Sequence, residues 1–167
     1  MKALIFSDSH QSDTNMKKAL EMHKNNLDLC IHLGDGTREF FFLSQEYPGI
    51  PFVYVHGNYE DAFAKGIDVT RILDLEGYRV FLTHGHAYGV KGGSSILTYK
   101  ALEENCDIVM YGHTHQRENR YLSDTELGRG LYIFNPGSTS RPNFGDHASC
   151  GLLEISKSGI LLSHIKL

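Results

Sequence analysis

The sequence predicts an α/β domain made of two mixed sheets packed face to face, with helices outside. Three observations carry this. Over the first third of the 167 residues, apolar runs of strand length alternate with amphipathic stretches of helical spacing, the pattern of parallel strands joined by helices. Beyond it, most of the strand-like runs are joined by short turns, as in hairpins. Hydrophobic residues make up 41% of the chain, enough for a real core, and no linker-like stretch divides it, so residues 1–167 read as one domain.

Taken in order, KALIFSD (2–8) is a continuous apolar run ending in polar residues, the mark of a buried strand. Residues 14–24 place Met16, Leu20 and His23 among polar neighbours, as an amphipathic helix does. LDLCIHLGD (27–35) is a second buried strand. TREFFFLSQEY (37–47) is a helix stopped by Pro48, and IPFVYVHGN (50–58) is a third strand. VTRILDL and YRVFLTHGH flank Glu76-Gly77 and form a hairpin. Residues 94–106 have helical spacing, and DIVMYGHTH (107–115) is again strand-like. RENRYL and RGLYIFNPGS pair across the polar connection SDTELG (123–128). The last eighteen residues form a hairpin turning at Ser158-Gly159.

Composition excludes several classes of function. A formal net charge of −4 gives no basic excess for binding duplex nucleic acid. The apolar run ALIF is broken at once by Ser7 and Asp8, so it serves neither as a membrane span nor as a signal-peptide core. Cys30, Cys106 and Cys150 lie far apart with no CxxC pair, which suits reduced thiols and a cytoplasmic protein. Ten histidines is the unusual count, and most sit in short motifs.

Five strand-like runs end alike: SDSH (7–10), HLGD (32–35), HGN (56–58), THGH (83–86) and YGHTH (111–115). Ligand sites in α/β sheets lie beyond the carboxyl ends of strands. Each motif alone has a plainer reading. Asp8-x-His10 could cap a helix and leave a surface histidine, or, if extended, turn both side chains the same way. Gly34-Asp35 and Gly57-Asn58 are ordinary turn sequences. The pairs His84-x-His86 and His113-x-His115 can face a metal or solvent. Together, the plain reading needs five independent coincidences. The donors are oxygen and nitrogen without thiolate, which favours Mn²⁺, Fe, Co²⁺, Ni²⁺ or Zn²⁺ over a structural cysteine-zinc site. There are more donors than one ion needs, and two ions sharing a carboxylate would use them all.

The series DSH…GD…GN…HGH…GHTH resembles the signature of the calcineurin-like metallophosphoesterases, in order over residues 8 to 142. The ending FNPGSTSRP is similar to that of the small bacterial and archaeal phosphodiesterases of that superfamily. The resemblance implies a four-layer α/β/β/α sandwich and a dinuclear centre of divalent ions, with manganese expected. It implies Asp8, His10 and His115 on one ion, Asn58, His84 and His113 on the other, and Asp35 between them. His86 would then face substrate or brace the ligands. Such a pair of ions, about 3.5–4 Å apart, makes a hydroxide nucleophile near neutral pH and neutralises charge on the phosphate. The implied activity is hydrolysis of a small phosphate ester, most readily a diester. A specific monoesterase, a nucleotide pyrophosphatase or a non-catalytic protein-binding scaffold are the other readings.

The chain departs from the superfamily at GNYE (57–60), where GNHD or GNHE is usual. That histidine is thought to protonate the leaving group. A phenol of reference pKa about 10 at Tyr59 is a poorer acid at neutral pH, which predicts a preference for good leaving groups such as aryl diesters. Tyr59 reads equally well as packing beside the site. Arg38, Asn135 and Arg141 are candidate substrate-binding residues, against plainer readings as a solvated helix charge and turn neighbours. Backbone N–H groups around Gly137-Ser138 could cradle phosphate. Lys91 with Gly92-Gly93 suits a lid or an oligomer contact. Phe40-Phe41-Phe42 covers more than one helix face, so part of it could form the patch of a homo-oligomer, a dimer or tetramer.

Overall fold

The computed structural model describes residues 1–60, 62–123, 128, 130–143 and 145–167. Most of the polar connection at 123–128 therefore lies outside the described residues. The first sheet has the order β10-β9-β1-β2-β3. It comprises β1 (Lys2–Phe6), β2 (Leu29–His32), β3 (Phe52–Tyr54), β9 (Ser149–Ser156) and β10 (Gly159–Lys166). β1, β2 and β3 are parallel neighbours, with Ala3 opposite Leu29 and Cys30 opposite Phe52. The second sheet has the order β4-β5-β6-β8-β7. It comprises β4 (Thr70–Leu75), β5 (Tyr78–Thr83), β6 (Ile108–Met110), β7 (Arg117–Leu122) and β8 (Leu131–Pro136). Here β5, β6 and β8 run parallel, while β4 and β7 pair antiparallel at the edges. Both sheets are mixed, as expected.

Side-chain alternation explains why two sheets stack and still accept helices. Ala3, Ile5, Leu29 and Ile31 meet Val80, Leu82, Ile108 and Met110 in one buried cluster between the sheets. The intervening Leu4, Phe6 and Cys30 point the other way, against α1 (Thr14–His23) and α2 (Thr37–Glu46). On the far side, Phe81, Val109 and Ile133 pack on Leu97, Ala101 and Leu102 of α3 (Ser95–Glu103). Strands covered on both faces read as unbroken apolar runs, which is why no period-two pattern is visible in their sequence. The result is four layers, α/β/β/α. Of the three phenylalanines of α2, Phe40 is fully buried and Phe42 is 54% exposed.

Local chemistry fixes two of the hairpins. Glu76 and Gly77, between paired Leu75 and Tyr78, both have positive φ (50° and 86°), as a type I′ turn requires. The last hairpin turns one residue earlier than the sequence suggests. Ser156 pairs with Gly159, so the turn residues are Lys157 and Ser158. Gly159 is the residue leaving the turn, with φ of 114°.

The parallel strands also stop earlier than their apolar runs imply. β1 ends at Phe6, β2 at His32, β3 at Tyr54 and β6 at Met110. Asp8, His10, Asp35, His113 and His115 all have φ between 44° and 66°. They are therefore not extended, and Asp8 and His10 do not share a direction by strand alternation. Left-handed backbone turns each loop sharply over the sheet edge and points its side chain back toward the strand ends.

Candidate metal centre

The loops after β1, β2, β3, β5 and β6 bring the motif residues into one place. His10 Nε2 lies 3.2 Å from His115 Nε2, which lies 3.1 Å from Asp8 Oδ1. Alongside, His84 Nε2 lies 3.1 Å from Asn58 Oδ1, 3.2 Å from His113 Nδ1 and 3.3 Å from Asp35 Oδ2. Asp8 Oδ1 is 4.0 Å from His84 Nε2, so Asp8 stands between the two groups. Two sets of donors close enough to share an ion result: Asp8, His10 and His115, and Asp8, Asp35 and His84.

The supporting bonds leave donor atoms aimed inward. Asp8 Oδ2 accepts from Ser7 Oγ at 2.6 Å and from the His113 N–H at 3.1 Å. Its Oδ1 is buried with no hydrogen bond. His84 Nδ1 donates to Leu33 O at 2.7 Å and His115 Nδ1 donates to Arg141 O at 2.6 Å. Each ring is thereby fixed in the tautomer that leaves an Nε2 lone pair facing the cluster. An orphaned carboxylate oxygen, a second carboxylate and imidazole lone pairs converging within about 3–4 Å fit hard to borderline divalent cations.

Electrostatics reflect the crowding. Burial opposes ionisation of Asp8 and Asp35, yet the imidazoles of His115 and His84 hold both carboxyls below the usual range. The Tyr59 N–H, 2.8 Å from Asp35 Oδ1, adds to this. His113 is pushed down to about 4, first by burial and then by the charges of His84 and Lys91.

Other candidates fall into distinct places. Arg38, Tyr59 and Arg141 line an open groove of about 420 Å³ that begins at His10, Asp35 and Asn58. Tyr59 is 74% exposed and its ring stands 6.1 Å from that of His10. His86 packs against the rings of His84 and His113, with Nδ1 buried, outside the donor groups. Asn135 does not reach the groove: it is fully buried, donates to Gly112 O and Thr114 Oγ1, and accepts from the Gly137 N–H. It braces two loops. The loop after β8 uses most of its N–H groups internally. The N–H groups of Gly137, Thr139, Ser140 and Arg141 all bond within the protein, because the loop is folded down onto Ser7 and Asp8.

Two glutamates that the sequence reading passed over hold the site together. Glu60 accepts from the N–H groups of Gly36, Thr37 and Gly57 and from Thr37 Oγ1, at 2.8–3.4 Å. It caps α2 and ties the Asp35 loop to the Asn58 loop. Glu39 accepts from Ser9 Oγ at 2.7 Å and from the Gln11 N–H at 2.6 Å, gripping the chain on both sides of His10. Ser9 Oγ also meets His32 Nε2 at 3.0 Å. The signal for Glu60 is present in GNYE, as the acidic residue that follows Tyr59. These loops approach so closely that a Cβ on Gly57 would stand 2.1 Å from Asp35 Oδ1.

Comparison with known proteins agrees with this fold. A family model described as the calcineurin-like phosphoesterase superfamily domain matches residues 1–158. The chain is 30% identical over 156 residues to the probable metallophosphoesterase YsnB of Bacillus subtilis, covering 93% of this chain and 85% of YsnB. It is 28% identical over 150 residues to the phosphodiesterase MJ0936 of Methanocaldococcus jannaschii, covering 82% and 83%. Among solved structures, a conserved Streptococcus pneumoniae TIGR4 protein, described as a predicted phosphoesterase, superposes with a TM-score of 0.79. It is 23% identical and covers 99% of this chain and 88% of that one. Wild-type Vps29 from Entamoeba histolytica, complexed with Zn²⁺, superposes with a TM-score of 0.74 at 19% identity, covering 99% of each. At these identities the two structures speak to the fold.

Proposed function

Since the chain belongs to the calcineurin-like phosphoesterase superfamily, we propose that it is a metal-dependent phosphodiesterase acting on a small phosphate ester. The observation that carries this is the convergence of Asp8, His10, Asp35, Asn58, His84, His113 and His115 in one cluster, from which His10, Asp35 and Asn58 reach an open groove. Asp8, His10 and His115 would hold one divalent ion and Asn58, His84 and His113 the other, with Asp35 shared between them and Asp8, which belongs to both donor groups, beside it. Manganese is the expected metal. When bound, the ions would supply a hydroxide nucleophile at neutral pH and neutralise charge on the phosphate oxygens.

The chain's own residues do the rest. Leu33 O and Arg141 O set the imidazoles of His84 and His115 so that their Nε2 lone pairs face inward. Arg38 and Arg141 offer guanidinium donors along the groove to orient an anionic ester. Tyr59 stands at the mouth, where the superfamily usually has histidine, so leaving groups that need no strong acid are favoured. Three free, buried thiols support a reducing, cytoplasmic setting.

A non-catalytic scaffold is the second reading, favoured by the likeness in fold to Vps29. Against it, every one of the seven expected positions keeps a metal-ligating side chain, and the fold gathers them. Hydrolysis of bis-p-nitrophenyl phosphate with added Mn²⁺, beside an Asp35→Asn variant, separates the two. Turnover that falls at least about 100-fold in the variant is expected. No turnover with any divalent metal would leave the scaffold reading. Equal rates on alkyl monoesters and aryl diesters would overturn the leaving-group preference.

A further inference from the structure

A second hollow adjoins the metal centre. It measures about 290 Å³ and is lined by Lys91, His113, Thr114, His115 and Arg141, with Pro142 and Asn143 at its rim. No carboxylate lines it, whereas the larger groove carries Asp35, Glu39 and Glu60. Arg141 lines both hollows, so they meet at its side chain.

Lys91 and Arg141 are exposed, and neither side chain has a hydrogen bond or ion pair among the described residues. Nearby cations are neutralised: Arg117 pairs with Asp146 at 2.7 Å and Arg120 with Glu118 at 3.1 Å. In a chain of net charge −4, two unneutralised cations facing one small hollow concentrate positive potential there.

Both cations rise from fixed backbone. Lys91 sits in a 3₁₀ turn, Val90–Gly92, closed by bonds from Gly92 N to Gly89 O (2.9 Å) and from Gly93 N to Val90 O (3.1 Å). Val90 beside it is buried. The segment is thus an ordered shelf and not the open lid its glycines suggest. The Arg141 N–H donates to Ser138 Oγ and its carbonyl accepts from His115 Nδ1, so it is tied directly to an expected metal ligand.

We propose that this hollow binds a second anionic group of the substrate, with Lys91 and Arg141 as its recognition residues. The substrate class is then a phosphodiester that carries a further phosphate on one of its arms. This rests on the phosphodiesterase reading above. The scissile phosphate lies over the metal centre, one arm runs into the groove at Tyr59, and the phosphate of the other arm is held between the two cations.

Two measurements test this. With the Mn²⁺-loaded protein, kcat/KM is compared for the p-nitrophenyl ester of thymidine 5′-phosphate with and without a 3′-phosphate. The 3′-phosphate is expected to raise kcat/KM about tenfold, mainly through KM. Lys91→Met and Arg141→Met should each erase most of that ratio, and Lys91→Arg should keep it. A ratio of one, or a ratio the methionine variants leave intact, overturns the proposal. Separately, inorganic phosphate is titrated into the metal-free protein and followed by NMR. Saturable shifts at residues 91 and 141, weakened about tenfold in Lys91→Met, are expected. Their absence overturns the anion site whether or not any ester is hydrolysed. Saturable shifts without turnover on either ester would instead sink the phosphodiesterase reading and leave the hollow an anion site.

Discussion

Among the described residues Glu60 has no hydrogen bond to the groups expected to hold metal, yet its carboxylate joins the loops of Asp35 and Asn58 through Gly36, Thr37 and Gly57. Replacing it with Gln puts an NH₂ where an oxygen accepted N–H bonds, leaving buried donors opposed by a donor. Glu60→Gln should therefore weaken Mn²⁺ binding roughly 10- to 100-fold by calorimetry, while lowering the unfolding midpoint of the metal-free protein by only a few degrees. Unchanged metal affinity would make Glu60 a helix cap and nothing more. At this scale the sequence revealed the ligand types well, because histidine pairs and Gly-Asp or Gly-Asn after an apolar run are local signals. Glu39 and Glu60 escaped it because their partners, apart from Gly57, lie 23–30 residues away in the chain, and a lone glutamate on or before a helix carries no mark of what it will cap. Asn135 escaped it in the opposite sense. It looked like a loop residue facing ligand and proved to be buried glue.

Among the elements, β10 carries a titratable group that ties the sheets together. His164 stacks on Phe134 at 4.7 Å and donates from Nε2 to Asn135 O at 2.8 Å. Burial pushes its imidazole below the ordinary 6.5, against the bond to Asn135 and with Arg117 opposing and Asp146 favouring its charge. A depressed folded value means that the unfolded chain binds the extra proton first. The stability His164 contributes is thus complete above about pH 6.5 and is lost as pH falls toward the folded value. Urea unfolding of metal-free protein between pH 6.5 and 5.5 should show a smaller loss in His164→Gln than in the parent, by at most about 1.4 kcal/mol. Identical slopes would show that His164 does not titrate across unfolding. Helix and strand order was legible because apolar runs and turn residues are local. The strand ends were not: the apolar pattern runs on into YGH or HGN, while the backbone has already left the sheet for left-handed φ at Asp8, Asp35, His113 and His115.

At the level of the whole molecule, the two clusters beneath the helices lock Cys30, Cys106 and Cys150 inside, and burial raises Cys30 and Cys150 to about 12. Native protein should leave Ellman's reagent essentially unreacted over an hour, and unfolded protein should release three equivalents. Fast labelling of the native state would mean that the four layers open readily. Among the described residues no helix is long and apolar enough to cross a membrane. The sequence by itself determined the layers and the chemical kind of the site. Both depend on residue type at short spacing: apolar runs that need burial, turns that need glycine, and oxygen and nitrogen donors at strand ends. Only the tertiary structure decided which donors meet, which glutamates hold their loops, and that Lys91 and Arg141 face one hollow. Those facts follow from packing two sheets face to face with their strand ends aligned, which sets residues more than a hundred positions apart, such as His10 and His115, within 3.2 Å. Spacing along the chain does not encode such distances.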